Sequence, residues 1–287
     1  MISAVKRLAG NTLEIQVNMS WSDVKTSYDE IFNHLLSHVE ASGFRKGKVP
    51  KDIAEKQINK SHIYEEVLKK LIPDIYTQVV KENQIKPVIS PKVEVLEAQE
   101  NKDWKIRITT AEKPAIKLGN YRSGIDKLID SKRKQIWTPK DSQDKAKSQE
   151  PTITEILETL EKEISVEISP LIIEHEVNRL LSDLVDQTQK LGMTIEQYLQ
   201  AKGLTSDLIR ENYKSQAQKT LSLEFALEEI ADLEKVTVEN QEIDQVINQA
   251  KTQAEKETLE KQRYYLGSLL RRQKTLQKLL KPTIIKP

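Results

Sequence analysis

Apolar residues recur at two spacings along this chain, and the changes from one to the other mark its elements. Leu13, Ile15, Val17 and Met19 alternate with polar residues, the two-residue period of a strand with one buried face. Ile2 to Leu8 reads as a shorter strand before it, and Gly10-Asn11 as the turn between them. The period then becomes helical. Trp21, Val24, Tyr28, Ile31, Phe32, Leu35, Leu36 and Val39 form one apolar stripe. Ser20, with Asp23 three residues on, resembles a capping box at its start, and Ser42-Gly43 is the predicted stop. Asp52 to Lys60 reads as a short helix. Ser61 is placed to cap a third, with Ile63, Val67, Leu68, Leu71, Ile75 and Val79 along one side and Pro73 predicted to kink or split it. Alternation returns at Val93 and Val95, and again at Trp104, Ile106 and Ile108, with residues 100–103 as the turn.

From Thr152 onward the pattern is helical. Thr152 and Glu155 form a capping box ahead of Ile156, Leu157 and Leu160. Val166-Glu167-Ile168 is briefly extended, then Ser169 caps a helix that has Pro170 at its first position. Its stripe runs through Ile172, Val177, Leu180, Leu184 and Leu191 and stops at Gly192. Thr194 and Gln197 cap a short helix ending at Gly203, and a long one follows from about Ser206 to Leu233. Val236-Thr237-Val238 then precedes Ile243, Val246 and Ile247, echoing the step at residues 166–168. Two helical arms on one plan are expected. The last helix carries Tyr264, Tyr265, Leu266, Leu269, Leu270, Leu276 and Leu279, with Pro282 closing it. Between the two patterned regions periodicity fails: Lys132-Arg133-Lys134 and the Lys-, Ser-, Gln- and Asp-rich run from Thr138 to Pro151 read as linker. The expected organisation is residues 1–112, a linker at 113–151, and residues 152–287. The fold class is α+β: an N-terminal antiparallel sheet with a protruding helical hairpin, then an all-helical C-terminal domain with two arms.

Composition narrows the function. At 287 residues, with 37% hydrophobic, 5% aromatic and 31% charged residues, the chain suits thin helical layers with much wetted surface. A net charge of +1 gives no global field, so any contact with nucleic acid is local. The absence of cysteine excludes disulfides, thiolate catalysis and Cys-ligated zinc. No apolar leader region follows Met1 and no run reaches the length of a membrane span, so a soluble, cytoplasmic protein with no membrane partner is expected. His34 and His38 lie four apart on a helix without the carboxylate of an HExxH site, and Glu174-His175-Glu176 reads as a solvated face. There is no phosphate-cradling glycine loop and no nucleophile elbow. No catalytic residue, metal ligand or cofactor is assigned.

One stretch stands apart: Gly43-Phe44-Arg45-Lys46-Gly47-Lys48-Val49-Pro50, between two amphipathic helices. Its glycines permit φ > 0 and its proline pre-sets φ, so the backbone is constrained. One aromatic ring sits among three cations with no apolar neighbour in the loop. Two readings are open: the ring enters a partner's pocket while the cations meet phosphates or carboxylates, or it tucks back under its own helices.

The octapeptide resembles the ribosome-docking signature of the trigger factor family, at Gly43, Phe44, Arg45, Lys46, Gly47, Lys48 and Pro50. The order of strands and helices on both sides is similar to that family's docking domain, and the helical C-terminal pattern to its cradle with two arms. The resemblance implies an ATP-independent, ribosome-associated chaperone. Its partners would be the large subunit at the tunnel exit, both protein and rRNA, and unfolded nascent chains, and a homodimer off the ribosome is compatible with it. The family usually has a prolyl-isomerase domain after the linker. The residues between Ile125 and Thr152 are too few, and too short of aromatic and apolar side chains, to build one, which puts the family's enzymatic activity in doubt. The alternatives are a residual prolyl isomerase and a helical scaffold for one fixed partner.

Overall fold

The alternating segments pair as antiparallel strands in the order β1-β2-β4-β3. The strands are β1 (Ile2–Arg7), β2 (Thr12–Met19), β3 (Lys92–Glu97) and β4 (Trp104–Ala111). β2 and β4 are central, in a register that sets Leu13 opposite Thr110 and Ile15 opposite Ile108. Leu13, Ile15, Val17 and Met19 are all buried, as their period requires. Two helices lie on this face: α1 (Trp21–Leu36) and α2 (Lys60–Glu82). Their residues Val24, Phe32, Ile63, Val67, Ile75 and Val79 join the strands and Trp104 in one core. The computed structural model describes residues 2–38, 53, 58–133 and 151–281, and divides the chain into two compact units, Met1–Lys113 and Pro114–Pro287.

Two local expectations are corrected in the first unit and a third is narrowed. α1 stops at Leu36 rather than at Ser42-Gly43, because Ser37 tightens the last turn: both its backbone N–H and its hydroxyl donate to the carbonyl of His34. α2 is capped by Asn59, whose side-chain oxygen accepts from the N–H of Ser61 at 2.9 Å, so Ser61 lies inside the helix. Pro73 does not split α2, which is continuous for 23 residues. The short helix expected at residues 52–60 falls outside the described residues except for Ile53 and its last three positions.

The second unit opens with β5 (Ile116–Lys117) and α3 (Tyr121–Arg133). Part of the segment expected as linker therefore forms elements of this unit. Ile125 and Ile129, four apart on α3, bury into a core with Ile156, Leu160, Leu227, Ile230 and Leu279. α4 (Ile153–Glu163) carries the full capping box of Thr152 and Glu155. β6 (Ser165–Val166) pairs with β5. α5 (Pro170–Lys190), α6 (Ile195–Lys202) and α7 (Ser206–Leu233) form the first arm around Leu184, Leu199 and Ile209. α8 (Asn240–Asn248), α9 (Gln253–Lys261) and α10 (Arg263–Leu279) follow, and α10 returns to pack on α7. The two extended steps are held differently. Val166 is hydrogen-bonded into a strand pair, whereas residues 236–239 form no strand and are tied by side chains of α10: Arg271 donates to the Val236 carbonyl at 2.8 Å and Lys274 to that of Thr237 at 2.8 Å.

Candidate functional site

Gly43, Phe44, Arg45, Lys46, Gly47, Lys48 and Pro50 all lie outside the described residues. The elements that carry them are described. In the chain α1 precedes them and α2 follows, and these two helices pack on each other as a hairpin. The hairpin's base is stiffened by aromatic contacts. Tyr28 stacks on Phe32 at 6.3 Å, Tyr28 meets Tyr64 at 5.2 Å, and Tyr64 meets Trp104 edge-on at 5.1 Å. The Trp104 indole N–H donates to the Gln99 carbonyl at 3.2 Å, so the largest buried ring has its one donor satisfied. Lys70 of α2 also pairs with Glu30 of α1 across the hairpin. His34 and His38 rings lie 5.0 Å apart near its open end, and the Ser37 hydroxyl lies 2.9 Å from His38 Nδ1.

In the second unit, two clefts lie along α7. The first, ≈ 550 Å³, lies between α5 and α7 over Ile173 and Val177. The second, ≈ 900 Å³, lies between α7 and α8–α10 over Phe225, Val238 and Ile243, with Tyr264 at its mouth. Gly267 of α10 belongs to its wall, and a Cβ there would sit 3.2 Å from Ile243 Cδ1, so the missing side chain lets the two helices approach closely. Large apolar side chains also stand in solvent on this unit: Leu191 at 70% exposure, Leu233 at 60% and Tyr264 at 93%, with Leu208, Tyr265 and Leu269 also exposed. The stripes of the sequence contain most of these residues but do not separate them from the core.

The charged groups of the second cleft are mostly committed to each other. Arg263 pairs with Asp244 at 2.5 Å and Glu260 at 3.0 Å, Arg271 with Asp232 at 2.5 Å, and Arg272 with Glu224. Lys274 and Lys278 bond Glu242 and Glu234, and these ammonium groups hold both carboxyls below their ordinary value. Glu176 grips Arg179 at 2.6 Å and Glu174 faces Arg210 at 3.9 Å, so Glu174-His175-Glu176 is an ion-paired surface. Among the described residues no group of three or more His, Asp or Glu side chains could hold a metal ion, and no helix is long and apolar enough to cross a membrane.

A sheet-backed helical hairpin followed by a helical unit with two arms defines a class, and comparison with known proteins places the chain within it. The family model described as bacterial trigger factor protein matches residues 1–141, and that for the C-terminus of bacterial trigger factor matches residues 126–281. The chain belongs to the trigger factor family. The two models meet over residues 126–141, which leaves no internal stretch for a prolyl-isomerase domain between them. The trigger factor of Pelotomaculum thermopropionicum is 32% identical over 122 residues, 42% of this chain and 28% of that protein. That of Streptococcus mutans is 31% identical over 123 residues, 43% of this chain and 29% of that protein. The matches thus span less than a third of these relatives' length. A solved structure described as "Promiscuous Substrate Recognition in Folding and Assembly Activities of the Trigger Factor Chaperone" aligns with 98% of this chain and 99% of its own, at a TM-score of 0.63 and 13% identity. That similarity establishes the α+β fold with a helical C-terminal unit.

Proposed function

We propose that this protein is an ATP-independent chaperone that docks on the large ribosomal subunit and holds unfolded polypeptides as they emerge. The observation that carries the reading is the set of large apolar side chains standing in solvent on the second unit, Leu191, Leu233, Tyr264 and Tyr265 among them. Single exposed apolar residues are ordinary, but Tyr264, Tyr265 and Leu269 stand exposed together on α10, the helix that walls the larger cleft, and apolar surface gathered beside a groove marks a binding site. Spread over separate helices, they offer weak contacts to many sequences rather than one shaped pocket. Docking rests on the motif at residues 43–50: Phe44 enters a pocket beside the tunnel exit, and Arg45, Lys46 and Lys48 meet rRNA phosphate or acidic side chains. The hairpin of α1 and α2 supplies the stiff support such a tip needs. The division is residues 1–112 for docking, 113–151 as connector and 152–287 as the client cradle, in the cytoplasm.

Two measurements test this. Replacing Phe44, Arg45 and Lys46 together with alanine should abolish co-sedimentation with ribosomes while leaving the circular dichroism spectrum unchanged; undiminished binding overturns the docking role. The wild-type chain should also suppress aggregation of several unrelated unfolded proteins without ATP. Protection of only one of them would favour a scaffold with a fixed partner.

A further inference from the structure

The two clefts meet α7 at equivalent positions. Asp207 and Arg210 line the first, Phe225 and Glu228 the second. In each matching pair the second residue lies about five helical turns beyond the first, so both clefts open on one side of the helix, about 27 Å apart along its axis. Each has an apolar floor, Ile173 and Val177 in one, Phe225 and Ile243 in the other. Their free charges are opposite. In the first cleft Arg210 faces Glu174 and Lys214 faces Glu211, while the exposed Asp207 makes no hydrogen bond or ion pair among the described residues. In the second, the three arginines are paired as above, while the exposed Lys261 makes none among the described residues. An unpaired carboxylate beside one apolar floor and an unpaired ammonium beside the other select complementary groups on whatever lies across both.

We propose that the two clefts hold one extended polypeptide at two points, and that the preferred client carries an apolar side chain beside a cation and, about eight residues away, an apolar side chain beside a carboxylate. The spacing follows from geometry: an extended chain covers about 3.3 Å per residue, so about eight residues span 27 Å. Two anchors on one chain turn the second contact into an intramolecular event, which multiplies affinity only if the spacer reaches. Either chain direction serves, since the peptide can reverse. The rule deepens the holding function proposed above and rests on it.

The test uses the full chain and fluorescently labelled peptides with two Phe-containing clusters joined by Gly-Ser spacers. The peptide with one Lys-flanked cluster, one Asp-flanked cluster and eight spacer residues should bind at least about tenfold tighter than its two-residue-spacer counterpart, which cannot bridge the clefts. It should also bind several-fold tighter than peptides whose clusters are both basic or both acidic, and that margin should shrink in high salt. Lys261→Glu, at an exposed and unpaired position, should shift the preference to the doubly basic peptide. Equal affinity across spacings and charge patterns overturns the two-point rule while leaving the holding function standing. Failure to bind any peptide or any unfolded protein removes both.

Discussion

The two units place their apolar residues in opposite ways. In the first, fourteen buried side chains from the two central strands and both hairpin helices, with Ile85 beyond α2, form one continuous cluster. In the second, described clusters of seven and three buried side chains serve the base and the first arm separately, and leucines and tyrosines remain in solvent between and beyond them. A continuous core resists local opening, because no element can leave without exposing its neighbours' contacts. Divided cores let an arm shift while the base stays packed. The difference fits the roles proposed above, a rigid support on one side and a body that yields around irregular ligands on the other. Even the first unit's edge follows this logic: Val93 and Val95 stand opposite Ile108 and Ile106 on the core face of the sheet, yet stay 38% and 47% exposed because β3 is an outer strand.

The sharpest way to break this comparison is at Trp104. It is 1% exposed, packs on Tyr64 and lies opposite Met19 in the register. Trp104→Ala should cost the first unit about 3–5 kcal/mol, read as a lowered denaturant midpoint for that unit alone. A loss below about 1 kcal/mol would mean its core is not continuous. Next is Gly119, at φ +54°, where a Cβ would sit 2.4 Å from the Glu163 carbonyl oxygen. Gly119→Ala should cost the second unit about 2 kcal/mol or more, since backbone must move as well as strain be absorbed. Gly203 is the control: φ +64° with nothing within 4 Å, so Gly203→Ala should cost only about 1 kcal/mol. Equal losses at the two sites would show that dihedral strain alone matters.

A smaller effect comes from the cations that tie α10 to the step before α8. Lys278 bonds Glu234 and holds its carboxyl below the ordinary value of 4.5. A carboxyl depressed in the folded state contributes stability above its unfolded pKa and loses it as pH falls through the folded one. Thermal stability of the second unit should therefore hold from neutral pH down to about 4.5 and decline below. Glu234→Gln should remove about 0.5–1 kcal/mol at pH 7 and flatten that decline, measured by melting at a series of pH values.

The strands, most caps and the helical stripes could be read from the sequence because each depends on neighbours within a few residues. Alternation at Leu13–Met19 and the capping boxes at Thr152 and Thr194 are of this kind, and all appear in the structure. What escaped depends on partners far away in the chain. Residues 121–133 looked like linker because only Tyr121, Ile125, Leu128 and Ile129 are apolar there, yet α4, α7 and α10 supply the rest of the packing. The two extended steps looked alike, but one finds a strand at Ile116–Lys117 and the other finds arginine and lysine from α10. At the candidate site the separation is similar. The motif at residues 43–50 was legible as chemistry, while the exposure of Tyr264 and the pairing of the cleft's arginines needed the tertiary fold.

The smallest expected change in stability accompanies a large expected change in binding, and it sharpens the comparison most. Tyr264 is 93% exposed at the mouth of the larger cleft, so it contributes almost nothing to packing. Tyr264→Ser should alter the unfolding free energy by less than about 0.5 kcal/mol. Removing an aromatic anchor should nevertheless weaken binding of unfolded clients several-fold, visible as a higher chaperone concentration for half-maximal suppression of aggregation. Tyr28→Ser, in the first unit, should behave in the opposite way. Its ring packs on Phe32 and Tyr64, so the first unit should lose stability while client binding by the second unit persists. If Tyr264→Ser destabilised the fold, the ring would belong to the packing rather than to the binding surface; if it left clients bound as before, the ring would be idle surface; either result would break the division of labour between the units.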